Sequence, residues 1–76
     1  MNLNQIQQNE TFKIQDLTDL HPFVKRRLKD LGVYEGKEVK VIRYCPLGGP
    51  CLLECSGQRV GIRRKDTFCI KGARLS

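Results

Sequence analysis

The chain has 76 residues, 39% of them hydrophobic and 29% charged, with a formal net charge of +6. This length allows one domain, and no apolar run approaches the ~18 residues that a membrane helix needs. The first residues, MNLNQIQQNE, have neither the basic start nor the apolar stretch of a signal peptide. We therefore expect a cytoplasmic protein without membrane insertion, whose thiols mostly stay reduced.

The first elements predicted along the chain are a tail and a strand. Residues 1–10 are polar and rich in Asn and Gln, which predicts a frayed N-terminal tail before a single domain over residues 11–76. Apolar and polar residues alternate in Thr11–Leu17, a pattern typical of a half-buried strand.

A helix is predicted next, over Pro22–Leu31. Proline suits the first helical position because its missing N–H would be unpaired there in any case. One apolar stripe faces the core at helical spacing and consists of Val24, Leu28 and Leu31. Gly32 follows the stripe, so we predict that it ends the helix with a positive φ.

The second half predicts strands separated by turns. The predicted strands are Glu38–Tyr44, Cys51–Cys55, Arg59–Arg63 and a short last strand, Phe68–Lys71. Two prolines bracket a loop in PLGGP, residues 46–50, and Ser56-Gly57-Gln58 predicts a hairpin turn. A mostly β domain with five short strands closes into a small barrel, because closure removes exposed strand edges. The helix is inserted after the first strand.

The four cysteines allow three interpretations. In a regular strand, Cys51 and Cys55 lie about 13 Å apart at ~3.3 Å per residue, too far to share one zinc ion with Zn–S near ~2.3 Å. Cys45 and Cys51 flank the loop and are the candidates for a metal pair or for a disulfide, which a reducing cytoplasm disfavours. A transition-metal or thiol redox module that also uses Cys69 is an alternative. We favour cysteine as a small apolar filler.

Positive charge is concentrated in residues 37–76, which carry nine Lys and Arg against three Asp and Glu. The run Arg63-Arg64-Lys65 is compatible with phosphate binding. Single-strand readers also need aromatic platforms, and the core pattern claims three of the five aromatic residues. A small basic nucleic-acid-binding barrel therefore stays an alternative to a solvated basic surface.

Enzymatic chemistry has little support in the sequence. The chain has one histidine, His21, and no paired carboxylates at a plausible site. Gly48-Gly49 lacks the Lys-Ser/Thr and the strand–loop–helix context of a phosphate-binding loop. We predict that the chain is not an enzyme and needs no cofactor, and that His21 is a surface or capping residue at the helix start.

Three motifs in order resemble the ferrous iron transport protein A (FeoA) family. They are KRRLKDLG at residues 25–32 with Gly36 beyond it, PLGGP at residues 46–50, and VGIRRKD at residues 60–66. The resemblance covers residues 11–72. It implies an SH3-like β-barrel with a helix after the first strand. Gly49 departs from the family's usual PLGDP loop, and the four cysteines lie outside the family pattern.

The resemblance also implies a function. It identifies a small cytosolic regulatory partner of the large ferrous iron permease, whose N-terminal part is a GTPase domain. The same module occurs in iron-dependent repressors, but this chain lacks their DNA-binding helix-turn-helix. Regulation of GTP hydrolysis, gating of the pore and assembly of a complex all stay open, and so does a weak homo-oligomer.

We expect the partner surface on the loop and on the neighbouring basic strand end. The candidate residues are Leu47, Gly48, Gly49, Arg63 and Arg64. The hypothesis starts from Leu47, an apolar residue in a loop that should lie at the surface. In the opposing interpretation, Leu47 packs back over the mouth of the barrel.

Overall fold

Five antiparallel strands form one sheet in the computed structural model, which describes residues 1–75. The strands are β1 (Thr11–Asp16), β2 (Glu38–Tyr44), β3 (Cys51–Cys55), β4 (Gln58–Ile62) and β5 (Lys71–Arg74), in the spatial order β4-β3-β2-β1-β5. Helix α1 (Pro22–Asp30) lies between β1 and β2, and the short helix α2 (Arg64–Thr67) joins β4 to β5. The prediction of a mostly β fold with one helix after the first strand is confirmed.

Irregular pairing bends the sheet around its core. The register shifts between Ile14 and Asp16 in the β1–β5 ladder and between Val41 and Arg43 in the β2–β3 ladder. Such bulges increase local twist and bend a strand. The inner face is filled by buried apolar side chains, including Phe12, Ile14, Val39, Val41, Leu53, Val60 and Ile62. Val60 and Ile62 thus face inward as predicted.

Helix α1 ends as the sequence predicts but packs less closely than predicted. Gly32 has φ +88°, and its N–H donates to Lys29 O at 3.0 Å while Val33 N–H donates to Leu28 O at 2.8 Å. These two bonds form a Schellman motif. Of the predicted stripe, Leu28 is buried and Val24 partly buried, whereas Leu31 is 39% exposed because the helix ends before it. No helix within residues 1–75 has the length and apolar character to cross a membrane.

The N-terminal segment, residues 1–10, differs from the frayed tail that its composition predicts. Leu3–Gln5 form a 3₁₀ turn, and Leu3 and Ile6 are buried. Leu3 N–H donates to Ile70 O at 2.8 Å, and Asn2 forms a bridge with Lys71. Residues three apart lie on one side of a 3₁₀ turn, so these two apolar side chains enter the core together although their neighbours are polar.

The last predicted strand, Phe68–Lys71, is wrong in its position. β5 begins at Lys71, and Phe68 is 51% exposed after α2. Thr67 Oγ1 donates to Arg64 O at 2.6 Å within this short helix. Four helical residues are too few to show an apolar period, whereas Phe68 and Ile70 imitate strand alternation.

Candidate protein-interaction site

The 45–50 loop joins β2 to β3 through a tight turn. Cys45 N–H donates to Pro50 O at 2.9 Å, and Gly49 N–H donates to Pro46 O at 3.1 Å. The two central residues of the inner turn both have positive φ, 59° at Leu47 and 71° at Gly48. This is the type I′ geometry, whose twist matches that of a β-hairpin. The loop therefore has a defined shape.

Leu47 stands at the tip of this loop and contacts little of the chain. Its relative exposure is 104%, so it does not pack back over the barrel. A left-handed backbone costs a residue other than glycine about 1–2 kcal/mol. The loop thus holds a fully exposed apolar side chain on a strained backbone, a combination that folding alone does not favour.

Gly49 fits closely against the start of the loop. A Cβ added there would lie 2.9 Å from Cys45 Cβ and 3.1 Å from Pro46 O. A side chain at position 49 therefore requires Cys45 or the turn to move. Glycine at this position therefore suits the close approach of the loop to its own start.

Arg64 supports the base of the loop. Its guanidinium donates to Cys45 O at 3.3 Å and lies 5.0 Å above the centre of the Tyr44 ring. The single proton of the Tyr44 hydroxyl is in turn shared between Ile6 O at 2.5 Å and Leu3 O at 3.0 Å. Burial raises the pKa of Tyr44 to about 12. The cation–π pair joins Arg64 of α2 to Tyr44 of β2, and hydrogen bonds from these two side chains reach the loop and the N-terminal segment.

Arg63 is directed elsewhere. It precedes α2 and forms an ion pair with Asp66 at 3.4 Å, with a side chain 62% exposed. It lines a groove beside α1. The structure therefore places Arg64 at the predicted loop surface and Arg63 at the groove beside α1.

The cysteines divide into two pairs. Cys51 and Cys55 are buried in the core, Cys45 and Cys69 are half-buried, and all four are free thiols. Burial raises the pKa of the Cys51 thiol to about 11, against the opposite effect of the Arg64 guanidinium. Nowhere in residues 1–75 do three His, Cys, Asp or Glu side chains group as ligands of one metal ion. The filler interpretation fits Cys51 and Cys55.

His21 caps α1 as predicted. Its Nδ1 accepts a hydrogen bond from Phe23 N–H at 3.2 Å, and the two rings stack with their centres 5.2 Å apart. The interaction satisfies one of the free N–H groups at the helix start.

Sequence reasoning missed a groove between α1 and the end of β4. It has a volume of about 240 Å³ and is lined by Val24, Arg27, Leu28, Leu31, Gly61, Ile62, Arg63 and Asp66. A glycine in mid-strand signals a close backbone approach or a bend, and Gly61 carried that signal. The groove itself depends on how α1 lies beside the sheet.

A bent five-stranded sheet with one helix after the first strand defines the class of protein, a small SH3-like domain. Residues 1–72 match the FeoA domain family. The chain belongs to this family.

Solved structures agree with this membership. The FeoA protein of Chlorobium tepidum is 32% identical with TM-score 0.92, over 100% of this chain and 71% of that one. The zinc-complexed FeoA of Stenotrophomonas maltophilia, described as a procaryotic SH3 domain protein, is 25% identical with TM-score 0.78, over 96% and 89%. The predicted SH3-like fold is confirmed.

The same fold occurs within larger proteins. A manganese-dependent transcriptional repressor in complex with manganese has TM-score 0.87 at 17% identity, and this chain spans 36% of its length. That likeness shows the fold alone. No curated protein sequence matches the chain.

Proposed function

We propose that the chain is a small cytosolic accessory protein of ferrous iron uptake, which acts by binding the cytosolic GTPase domain of the ferrous iron permease and not by catalysis. Membership of the FeoA family supports the link to ferrous iron transport. The observation that carries the proposal is Leu47, whose side chain is 104% exposed at the tip of a rigid loop.

The geometry of the loop suits a docking contact. Leu47 is held by a closed turn, with a proline at each end of the loop. A loop fixed in its bound shape loses less conformational entropy on association. An isolated leucine burying its side chain in a partner gains about 1.5–3 kcal/mol, enough to make the contact measurable when it is removed.

Arg64 has a supporting role in this proposal. Its guanidinium bonds to Cys45 O and is partly buried over Tyr44. Replacing Arg64 would disturb the shape of the loop as well as its charge. Electrostatic steering of an acidic partner is therefore better tested at Arg63, which is more exposed.

The test is capture of this chain by the purified GTPase domain of the permease from the same organism. Leu47→Ser should abolish capture and leave the melting temperature nearly unchanged. Leu47→Asn should also abolish capture but melt no lower than the wild type, because asparagine tolerates a left-handed backbone.

Leu75→Ser is the matched control, since Leu75 is also exposed, at 48%, and lies after β5. It should keep full capture. If Leu47→Ser keeps full capture, the loop is not the partner surface. If the wild-type chain is not captured, the permease contact itself is wrong.

A further inference from the structure

The two edge strands of the sheet, β5 and β4, differ in whether another segment of the chain bonds to them. Beside β5, Gly72 N–H donates to Met1 O at 3.0 Å, and Asn2 bridges to Lys71. The N-terminal segment thus covers that edge. Among residues 1–75, β4 pairs only with β3 and lies at the other end of the strand order.

The register identifies the free groups on β4. Pro50 O accepts from Cys45 on the β2 side, so Leu52 and Glu54, two and four residues further on, also direct their backbone groups to β2. Their partners on β4 are Gly61 and Arg59. The backbone N–H and C=O groups of Arg59 and Gly61 therefore point away from β3.

The turn leads to the same assignment. Ser56 and Gly57 both have positive φ, 51° and 80°, so β3 and β4 are joined by a two-residue type I′ turn. Such a turn closes on a hydrogen-bonded pair, here Cys55 with Gln58. Pairs alternate from there, which again leaves Arg59 and Gly61 facing outward. Within residues 1–75, no backbone group outside the ladder bonds to either residue.

The surroundings of this edge favour a specific kind of ligand. The groove beside it has apolar walls from Val24, Leu28, Leu31 and Ile62. Arg27 and Arg63 line the same groove, and Arg59 lies on the edge itself. Two acidic neighbours offset part of this charge, because Asp66 pairs with Arg63 at 3.4 Å and Glu54 faces Arg59 across the ladder. The balance of these side chains stays positive, since Arg27 has no salt bridge within residues 1–75.

Gly61 leaves room for a close approach. A Cβ at this position would meet only Pro50 Cβ, at 3.9 Å. An incoming strand can therefore reach the backbone at the point where the edge meets the groove. Exposed edges of this kind are often covered by another element, and within residues 1–75 no element pairs with this one.

We propose that the free edge of β4 binds an extended, acidic segment of a partner protein, which adds to the sheet as a further strand beside α1. Strand addition between an edge and a helix is an established mode of peptide binding, with backbone bonds giving affinity and alternate side chains giving specificity. Alternate apolar side chains would enter the groove, and carboxylates would meet the arginines. A second copy of this chain fits less well, because it would bring its own arginines against them. The site adjoins the 45–50 loop at Pro50 but does not use Leu47, so it does not depend on the permease contact.

The experiment is an NMR titration of the isotope-labelled chain with a capped peptide that alternates glutamate with valine over the length of β4. The largest amide shifts should fall at Arg59 and Gly61, and both amides should exchange with solvent at least about tenfold more slowly when bound, because they become hydrogen-bonded. The same peptide with lysine in place of glutamate should bind at least about tenfold more weakly.

Two variants make the test specific. Gly61→Pro removes an N–H that points to the free side, a position where edge strands tolerate proline, and should weaken binding about tenfold or more. Arg59→Glu should reverse the preference toward the lysine peptide and serves alone if Gly61→Pro does not fold. Lys13→Glu, at an exposed cation on β1 that pairs with β2 and β5, is the control and should leave both affinities nearly unchanged.

Three results would overturn the proposal. The first is the absence of shifts at the Arg59 and Gly61 amides when the titration is complete. The titration is complete when the other amides have saturated or the peptide has reached its solubility limit. The second is equal binding of the two peptides, which removes the acidic preference. The third is protection of these amides that rises with protein concentration alone, which would assign the edge to a second copy of the chain.

Discussion

The two edges of this sheet differ in what the chain does with them. At β5, residues 1–3 form backbone bonds along the edge, and Leu3 is buried beneath them. At β4, the backbone of Arg59 and Gly61 has no such cover within the described residues. One sheet therefore has an edge closed by its own sequence and an edge that a partner can use.

The comparison also shows where stability is concentrated. The covered side adds Leu3 and Ile6 to the core and connects them through the Tyr44 hydroxyl to β2. The open side relies on its ladder with β3 and on two inward side chains, Val60 and Ile62. A small domain buries a limited fraction of its surface, so loss of the contacts on the covered side should lower the free energy of unfolding substantially.

The largest expected difference comes from one substitution made at both edges. In Gly72→Ala on β5, the new Cβ would lie 1.9 Å from Lys13 O and 2.8 Å from Phe12 Cζ. Overpacking against a backbone atom should lower the free energy of unfolding by about 3 kcal/mol or more. Gly61→Ala on β4 meets only ordinary contacts and should change it by less than about 0.5 kcal/mol. Urea denaturation of both variants measures the contrast, and equal effects would mean that the edges do not differ in packing.

Leu3→Ala tests the cover itself. Leu3 is fully buried, and truncation of a buried leucine costs about 2–5 kcal/mol. We expect about 3 kcal/mol, measured by chemical denaturation. Leu47→Ala, which truncates a fully exposed leucine, is the control and should cost almost nothing. A Leu3→Ala variant as stable as this control would show that the N-terminal segment is not docked.

The sequence predicted the central strands well and the cover poorly, for physical reasons. Glu38–Tyr44 and Cys51–Cys55 are short β-rich runs bounded by Gly or Pro, and both have the predicted bounds. The local pattern of the sequence is enough to predict these two strands. Leu3 and Ile6 are isolated apolar residues in a polar segment, and Leu3 is fixed by a backbone bond to Ile70, which is distant in the sequence.

The candidate site shows the same division. Proline and glycine around Leu47 predicted a surface turn because these residues report backbone geometry locally. The bond from Arg64 to Cys45 O and the separation of Arg63 from it depend on α2, which is too short to leave a pattern. The free backbone of β4 follows only from the strand order and register.

Tyr44→Phe sharpens the comparison by removing one hydroxyl from the covered side. The ring and its contact with Arg64 remain, but Ile6 O loses the hydroxyl as its donor, whereas Leu3 O still accepts from Ile6 N–H at 3.0 Å. Leaving buried acceptors unsatisfied costs about 1–3 kcal/mol, and we expect about 2 kcal/mol. Tyr34→Phe, at a tyrosine that is 44% exposed, is the control and should be neutral. If the two variants have equal denaturation midpoints, the hydroxyl does not hold the segment.

The smallest effect is an alkaline loss of stability with one contribution from each side of the sheet. Burial raises the pKa of Cys51, on β3 beside the open edge, from its ordinary 9.0 to about 11, and that of Tyr44, below the cover, from 10.0 to about 12. Well below pH 9.0 both groups are protonated in the folded and the unfolded chain, so their pKa shifts leave stability unchanged. Above it, the unfolded chain releases protons that the folded chain retains, and stability must fall as pH rises.

Between pH 9.0 and 10.0, the free energy of unfolding should fall by about 1 kcal/mol, mainly through Cys51. Denaturation midpoints measured over this range in Cys51→Val should be nearly flat. Above pH 10.0 a second decline should set in, and Tyr44→Phe should reduce it without changing the first. A wild-type midpoint that is constant up to pH 11 would show that neither group is shielded from solvent in the folded chain. A first decline that survives in Cys51→Val would assign it to another group.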